Sequence, residues 1–355
     1  MNRAERLAWL RETDPRRLEA LWAEADDVRR RHVGDAVHLR GLIEFSNRCG
    51  RGCLYCGLRR GRAGLARYRM ALGEIVACAR TAGELGMGTV VLQSGEDPSM
   101  PAAWLADVIA AVKTETRGAV TLSVGERPAE DYALWRRAGA DRYLLRFETS
   151  NRDLYARLHP DAADGLDGRL AALHALRDLG YEVGSGVMVG LPGQTFDDLA
   201  DDLALFEQLG LHMVGIGPYI AHPASPLAAL PAAAGAVSGT ELMASKMVAL
   251  TRLVLPDANI PATTALATID PAAGRVHGLE RGANVIMPNV TPAARKALYE
   301  IYPSKAGVTV DAADAVADVR RSLDALGRTV GVGRGDSPAM ARRRLSPPVT
   351  EEVSP

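Results

Sequence analysis

The chain has 355 residues, 47% of them hydrophobic, and a formal net charge of −1. That length is ample for one barrel-sized core or two smaller ones. The charge balance gives no ground for a nucleic acid or an anionic membrane as partner.

The N-terminus, M-N-R-A-E-R-L-A-W-L, has no signal-peptide core, and no apolar run reaches the roughly 18 residues of a membrane span. Four cysteines in so long a chain do not make a disulfide framework, so a reducing cytoplasm is the expected setting. Pro15 to His32 reads as an amphipathic helix, with Leu18, Leu21, Trp22, Ala25 and Val28 on one face. Asp14-Pro15 supplies an N-cap followed by proline at the first helical position. Residues 1–38 are therefore expected to form an N-terminal helical extension.

From Leu39 onward strand and helix alternate. Expected strands are 39–45, 89–93, 120–124, 142–147, 183–189, 213–218, 260–265 and 284–287. Expected helices are 72–85, 102–116, 129–138, 168–179, 196–209, 241–255 and 292–301. Eight strands with intervening helices are the arithmetic of a complete (β/α)8 barrel over residues 39–330, with a doubly wound open sheet as the alternative. Residues 227–240 are rich in small residues and read as a surface loop. Residues 331–355 are Pro-rich and charge-blocked, and read as a disordered tail. The G-x-G in that tail follows no expected strand and opens no helix, so it is no nucleotide signal.

The chemistry is concentrated just after the first strand, in I-E-F-S-N-R-C-G-R-G-C-L-Y-C-G-L-R-R. Cys49, Cys53 and Cys56 stand in a Cys-x3-Cys-x2-Cys spacing. Three thiolates so close can hold three corners of one [4Fe–4S] cube, which ordinarily takes four. The fourth iron is then open to a substrate, which is the logic of radical S-adenosylmethionine (SAM) enzymes. A structural zinc site would want a fourth Cys or His nearby, and no His lies between Cys49 and Cys56. In a barrel, active sites sit at the C-terminal ends of the strands. Polar clusters fall there at Gln93–Asp97, Ser123–Glu126, Arg146–Thr149 and Thr263-Thr264.

The cysteine stretch resembles the radical SAM superfamily and, within it, the HydE family of [FeFe]-hydrogenase maturases. The resemblance extends through V-L-Q-S-G-E-D-P, A-G-A-D-R-Y-L-L-R-F-E-T, M-V-G-L-P-G-Q-T, M-V-G-I-G-P, L-P-D-A-N-I-P-A-T-T-A and G-A-N-V-I-M-P-N. It covers roughly residues 15 to 330. It implies a complete barrel with a cluster at one end of an internal cavity. Cys49, Cys53 and Cys56 would bind the cluster, and Tyr55 would lie beside the adenine of SAM. Ser94, Gly95 and Glu96 would hold the methionyl amine. Ser123, Glu148 and Arg169 would also contact SAM. Gln93, Thr121, Arg146, Met213, Thr263, Thr264 and Tyr299 would line the substrate cavity. The implied substrate is an organometallic Fe(CO)2(CN)–cysteine precursor, attacked at its cysteine sulfur by a 5′-deoxyadenosyl radical. Arg146 and the threonine pair would grip its carboxylate or cyanide. The implied partners are an external one-electron donor and other hydrogenase maturases. Residues 305–319 carry none of the cysteines that relatives often use for an accessory cluster, so one cluster is expected. Phe147 stands where relatives often have His.

The plainer readings of these residues are structural. Glu148 and Arg169 could pair with each other at the rim. Met213 could be core filler, and Thr263-Thr264 an ordinary strand end. Thr195 reads as an N-cap with Asp198, and Cys78 as a buried inert thiol on a helix face. His159, His174 and His222 have no assigned role. Two rival functions stand beside the maturase. One is a radical SAM enzyme acting on a free amino acid or related small molecule, similar to methylornithine synthase. The other is a non-catalytic iron–sulfur or zinc protein.

Overall fold

The structure, a computed structural model, describes residues 1–230 and 235–345. Two helices open the chain, α1 (Arg3–Arg11) and α2 (Pro15–Val33). In α1, Asn2 accepts from the Glu5 N–H at 3.0 Å and Glu5 accepts from the Asn2 N–H at 2.7 Å, a reciprocal cap. In α2, Asp14 accepts from the Arg16 N–H, and Leu18, Leu21 and Ala25 face the core.

Strand β1 (Ala36–Ser46) follows, then α3 (Leu72–Glu84), β2 (Thr89–Ser94), α4 (Ala102–Thr116), β3 (Ala119–Ser123), α5 (Ala129–Ala138) and β4 (Arg142–Leu144). Next come α6 (Arg152–Leu158), α7 (Gly165–Asp178), β5 (Glu182–Val189), α8 (Phe196–Gln208), β6 (Met213–Pro218) and α9 (Glu241–Val254). Then the chain forms α10 (Thr264–Ile269), α11 (Gly274–Glu280), β7 (Val285–Ile286), α12 (Ala293–Lys296), α13 (Ala312–Ala325), β8 (Thr329–Val330) and α14 (Pro338–Leu345). The strands pair in parallel in the order β6-β5-β4-β3-β2-β1-β7, and β8 adds to the start of β1. Their near-continuous apolar runs fit strands covered on both faces.

The complete eight-stranded barrel expected from the sequence is not what forms. The sheet path is a half-barrel of seven strands. The expected strand at 260–265 contributes only one isolated bridge, Pro261 to Val285, with a second, Met213 to Asn259, just before it. Pro261 has no N–H to give a ladder, and Thr263 already stands at the N-cap position of α10, its hydroxyl donating to the Ile216 carbonyl at 3.0 Å. The expected helix at 292–301 shrinks to the four residues of α12.

The disordered tail is also corrected as far as Leu345. Residues 331–337 run across the N-terminal ends of the strands as a packed strap. The Arg334 carbonyl accepts from Thr89 Oγ1 and Arg142, both at 2.8 Å. The Gly335 carbonyl accepts from Asn259 at 3.0 Å and Arg40 at 3.2 Å. Asp336 accepts from the same Arg142 nitrogen, Nη2, and the Ser337 N–H reaches Glu182 at 2.9 Å. The strap lies so close that a Cβ on Gly88 would stand 1.7 Å from the Gly333 oxygen. The rest of the expected tail, 346–355, lies outside the described residues. So do residues 231–234 of the expected surface loop. The described start of that loop is a 3-10 turn, Pro226–Ala229, whose Leu227 is buried and donates to the Leu54 carbonyl at 3.1 Å.

Candidate active site

The long β1–α3 connection, 47–71, carries the three cysteines at the C-terminal end of β1. Backbone hydrogen bonds pin it on several sides. Gly50 N–H reaches the Glu96 carbonyl at 2.7 Å, Leu54 N–H reaches Leu158 at 3.0 Å, and Gly57 N–H reaches Ile301 at 2.9 Å. Gly57 and Gly95 are required by close approach. A Cβ on Gly57 would stand 2.1 Å from the Glu300 oxygen, and one on Gly95 would stand 2.7 Å from the Cys49 Cβ. One guanidinium completes the shaping: Arg67 donates to the carbonyls of Asn47, Leu58 and Arg59 at 2.6 to 2.8 Å.

Burial pushes all three thiols up, Cys56 to about 12. Cys53 is raised further by the charges of Cys56 and Cys49, so the three share one neighbourhood. Among the described residues no three His, Cys, Asp or Glu side chains are drawn round a point that could hold a single metal ion. The donor set is three soft thiols with no fourth beside them, since Cys78 is buried on α3. That set fits a cluster with one open corner and fits a tetrahedral zinc site poorly.

Beside Cys56 lies a cavity of about 340 Å³. Of the expected cavity residues, Gln93, Thr121, Arg146, Met213, Thr263 and Thr264 line it. Tyr299 does not: it stands behind the wall, buried, where its hydroxyl accepts from Gln93 Nε2 at 3.3 Å. Tyr302 takes the place at the surface of the cavity. Met213 is part of the wall rather than core filler, with Arg40 Nη1 3.0 Å from its sulfur. Phe147 is fully buried against Phe206, ring centroids 5.7 Å apart, and is not part of the cavity lining.

The residues expected around SAM divide among three spaces. Tyr55 and Glu148 line the inner cavity with Cys56. Cys53 and Arg169 line a small neighbouring niche, and Glu96 borders an outer cleft. Ser94 turns its hydroxyl to the Gly95 carbonyl at 2.7 Å, while Ser123 pairs through its backbone with Gln93. The Glu96 carboxylate is held by Arg51, which also reaches Glu126 at 2.6 Å. The simple Glu148–Arg169 rim pair is absent. Arg169 pairs with Glu126 at 2.6 Å, and Glu148 lies 2.9 Å from Arg146. Glu148 is buried and has a φ of 67°, in the left-handed region. A non-glycine there costs of order 1 kcal/mol or more and persists only where its surroundings impose it.

The cavity floor is cationic and under-satisfied. Arg40 is buried, its Nε has no hydrogen-bond partner, and it touches no carboxylate among the described residues. Burial and the neighbouring Arg142 lower it to about 9. Arg146 Nε and Thr121 Oγ1 are likewise buried without partners. Leaving such groups unpaired is costly, and in a polar cavity it marks where a ligand supplies the missing bonds.

Sequence reasoning missed Arg40, Glu44, Asn259, Tyr302 and Lys305, all of which line the cavity. Arg40, Leu42 and Glu44 alternate along β1 and so share its inward face. Two charges at that period in an otherwise apolar strand were a readable signal. Lys305, which bonds Glu44 at 2.5 Å, gave none, because its partner lies 261 residues away. His159 also has a role in the geometry. Its Nε2 lies 3.1 Å from the Tyr55 hydroxyl and its Nδ1 3.0 Å from the Tyr155 carbonyl. The carbonyl can only accept, so Nδ1 carries the proton and Nε2 accepts from Tyr55.

The family model of the Radical SAM superfamily matches residues 43–206. The [FeFe] hydrogenase maturase subunit HydE of Thermotoga maritima is 50% identical over 313 residues, which cover 88% of this chain and 87% of that protein. A 3-methylornithine synthase of Methanosarcina acetivorans is 26% identical over 272 residues, covering 76% and 74%. The crystal structure of methylornithine synthase (PylB) aligns with a TM-score of 0.80 at 22% identity, over 97% of this chain and 96% of that one, a likeness of fold.

Proposed function

This chain belongs to the HydE family of radical SAM enzymes, and from that premise we propose that it acts in building the di-iron cofactor of [FeFe]-hydrogenase. Cys49, Cys53 and Cys56 hold one [4Fe–4S] cluster, with no second cluster in the chain. When reduced, that cluster supplies the electron that splits SAM into methionine and a 5′-deoxyadenosyl radical. The protein binds and orients SAM and keeps water from the reacting atoms. Tyr55 lies against the adenine, steadied by His159. Ser94, Gly95 and Glu96 bind the methionyl amine, with Glu148, Arg169 and Ser123 completing the contacts.

The substrate is an Fe(CO)2(CN)–cysteine complex. The observation that carries this reading is the set of unpartnered buried donors on the cavity wall, Arg40 Nε, Arg146 Nε and Thr121 Oγ1. They suit an anionic ligand with carboxylate or cyanide groups, bound through charge-assisted hydrogen bonds. Thr263, Thr264, Gln93 and Met213 shape the remaining wall, and Tyr299 steadies Gln93. An external one-electron donor and the other hydrogenase maturases are the partners this role requires.

The test is anaerobic. The reconstituted protein receives reductant, SAM and either the iron–cysteine complex or a panel of free amino acids. Mass spectrometry follows adenosylated products and 5′-deoxyadenosine. An adenosyl–cysteine adduct formed only with the iron complex is the expected result. Deoxyadenosine stimulated by one amino acid, with the complex inert, would replace this reading by an amino-acid mutase.

A further inference from the structure

The loop that carries the cysteines is far more basic than the chain around it. Between Ile43 and Met70 there are seven arginines and one acid, Glu44, a local charge of +6 in a chain whose total is −1. The rest of the molecule therefore carries −7.

Four of the seven arginines are already paired. Arg51 is held by Glu96 and Glu126, Arg60 by Asp161 at 3.4 Å, Arg62 by Glu300 at 2.8 Å and Arg69 by Asp97. Arg48, Arg59 and Arg67 have no carboxylate partner among the described residues. These three are not scattered. Arg67 donates to the carbonyls of Asn47, Leu58 and Arg59, which draws all three arginines to one corner of the loop. That corner also adjoins the thiols. The Leu58 N–H lies 3.3 Å from Cys56 Sγ, and Arg67 is within Coulombic reach of both Cys49 and Cys56. Arg48 is exposed and Arg59 half-buried, so positive charge faces solvent there.

We infer that the Arg48–Arg59 corner is the docking surface for an acidic one-electron carrier protein that reduces the cluster. The inference rests on the radical SAM reading. Each encounter moves one electron from the reduced carrier to the oxidised cluster, and the carrier leaves oxidised by one electron. Electron-transfer encounters bury little area and rely on complementary charge to raise their on-rate. A molecule whose other residues sum to −7 and that gathers uncompensated cations on the loop carrying its thiols steers such a partner toward that loop.

The experiment uses the full chain with its cluster reconstituted, and the double variants Arg48→Glu/Arg59→Glu and Arg48→Gln/Arg59→Gln. A reduced acidic ferredoxin is the probe, and stopped-flow bleaching gives the second-order rate of cluster reduction against ionic strength. Photoreduced 5-deazariboflavin, a small reductant that needs no docking surface, is the control. At low salt the charge reversal is expected to slow reduction by ferredoxin about ten-fold or more. Neutralisation should give a smaller loss, and both differences should vanish at high salt. Deazaflavin-driven SAM cleavage should be unchanged in both variants. Equal ferredoxin rates in wild type and variants, or a wild-type rate indifferent to salt, overturns the inference. Absence of SAM cleavage in the wild type with deazaflavin would instead overturn the radical SAM reading, and the ferredoxin rates would still decide the docking question.

Discussion

The two ends of the sheet are built to opposite rules. At the N-terminal ends of the strands, Asp141, Arg142, Glu182 and Asp336 are paired and the strap closes over them, with Arg40 the exception. Arg142, with no exposed surface, spends its donors on Glu182 at 2.6 Å, Thr89 at 2.8 Å, the Arg334 carbonyl and Asp336. At the C-terminal ends, thiols, guanidiniums and a strained glutamate are held in place with bonding capacity left over. One end contributes stability and the other reserves its interactions for ligands, a division that parallel αβ sheets permit because only one set of loops carries the chemistry.

The comparison breaks first at Arg142. Arg142→Met leaves Glu182 and Asp336 facing a buried gap. Removing one partner of a buried pair costs about 3–5 kcal/mol. Urea unfolding should show that loss, while SAM cleavage per folded molecule stays near wild type. An unchanged midpoint would mean that the strap does not seal this end. Arg146→Gln asks the reverse. It leaves Glu148 without its ion partner, so some stability should go, less than at Arg142 because Arg146 is half-buried, and it should lower kcat/KM for the iron–cysteine substrate about 10- to 100-fold, the worth of a hydrogen bond to a charged group. SAM cleavage without that substrate should persist. A variant that loses stability but not substrate preference would make Arg146 a structural residue.

A smaller effect is expected at His159. Burial, reinforced by Arg169, lowers its pKa to about 4, so the ring is neutral above pH 5 and remains an acceptor for Tyr55. His159→Phe should raise the KM for SAM a few-fold, about 1 kcal/mol for one hydrogen bond, with the same ratio at pH 6 and pH 8. A ratio that changed between those values would mean that the ring titrates there, against the burial argument.

Much of this division was legible from the chain. The Cys-x3-Cys-x2-Cys spacing placed the functional end, and strand–helix alternation located β1 to β6, because both signals are local. What escaped was non-local or irregular. The segment at 260–265 has the apolar character of a strand, but Pro261 and the start of α10 after Thr263 reduce it to one bridge. The charge blocks after Gly331 read as disorder because their partners, Asp141 and Arg142, stand about 190 residues earlier. Lys305 and Glu44 were hidden for the same reason. Pattern reveals which face of an element is buried, but not which distant charge neutralises another.

The sharpest form of the contrast is a pair of aspartates shifted in opposite directions. Asp141, at the sealed end, is penalised by burial, but Arg334 at 2.7 Å, the Val120 N–H at 2.9 Å and Lys113 at 3.1 Å more than reverse that and hold it at about 2. Its folded pKa lies below the unfolded value near 3.9, so its contribution of about 2 kcal/mol is present above pH 4 and lost as pH falls toward 2. Asp202, on α8 behind the functional end, accepts one N–H, from Ser150 at 2.6 Å, and its Oδ2 has no partner. Burial pushes it up to about 7, offset only in part by Ser150. Here the sign is reversed: stability is fully present below the unfolded pKa and is lost as pH rises through 7. Asp202→Asn removes that charge but leaves a buried amide with an unmade bond. The net gain at pH 8 should be about 1 kcal/mol, with no gain at pH 5, where the native carboxyl is already neutral. Urea midpoints of both proteins at the two pH values decide it. An equal change at pH 5 and pH 8 would show that Asp202 carries no buried charge, and the functional end would lose one of its marks of incomplete pairing.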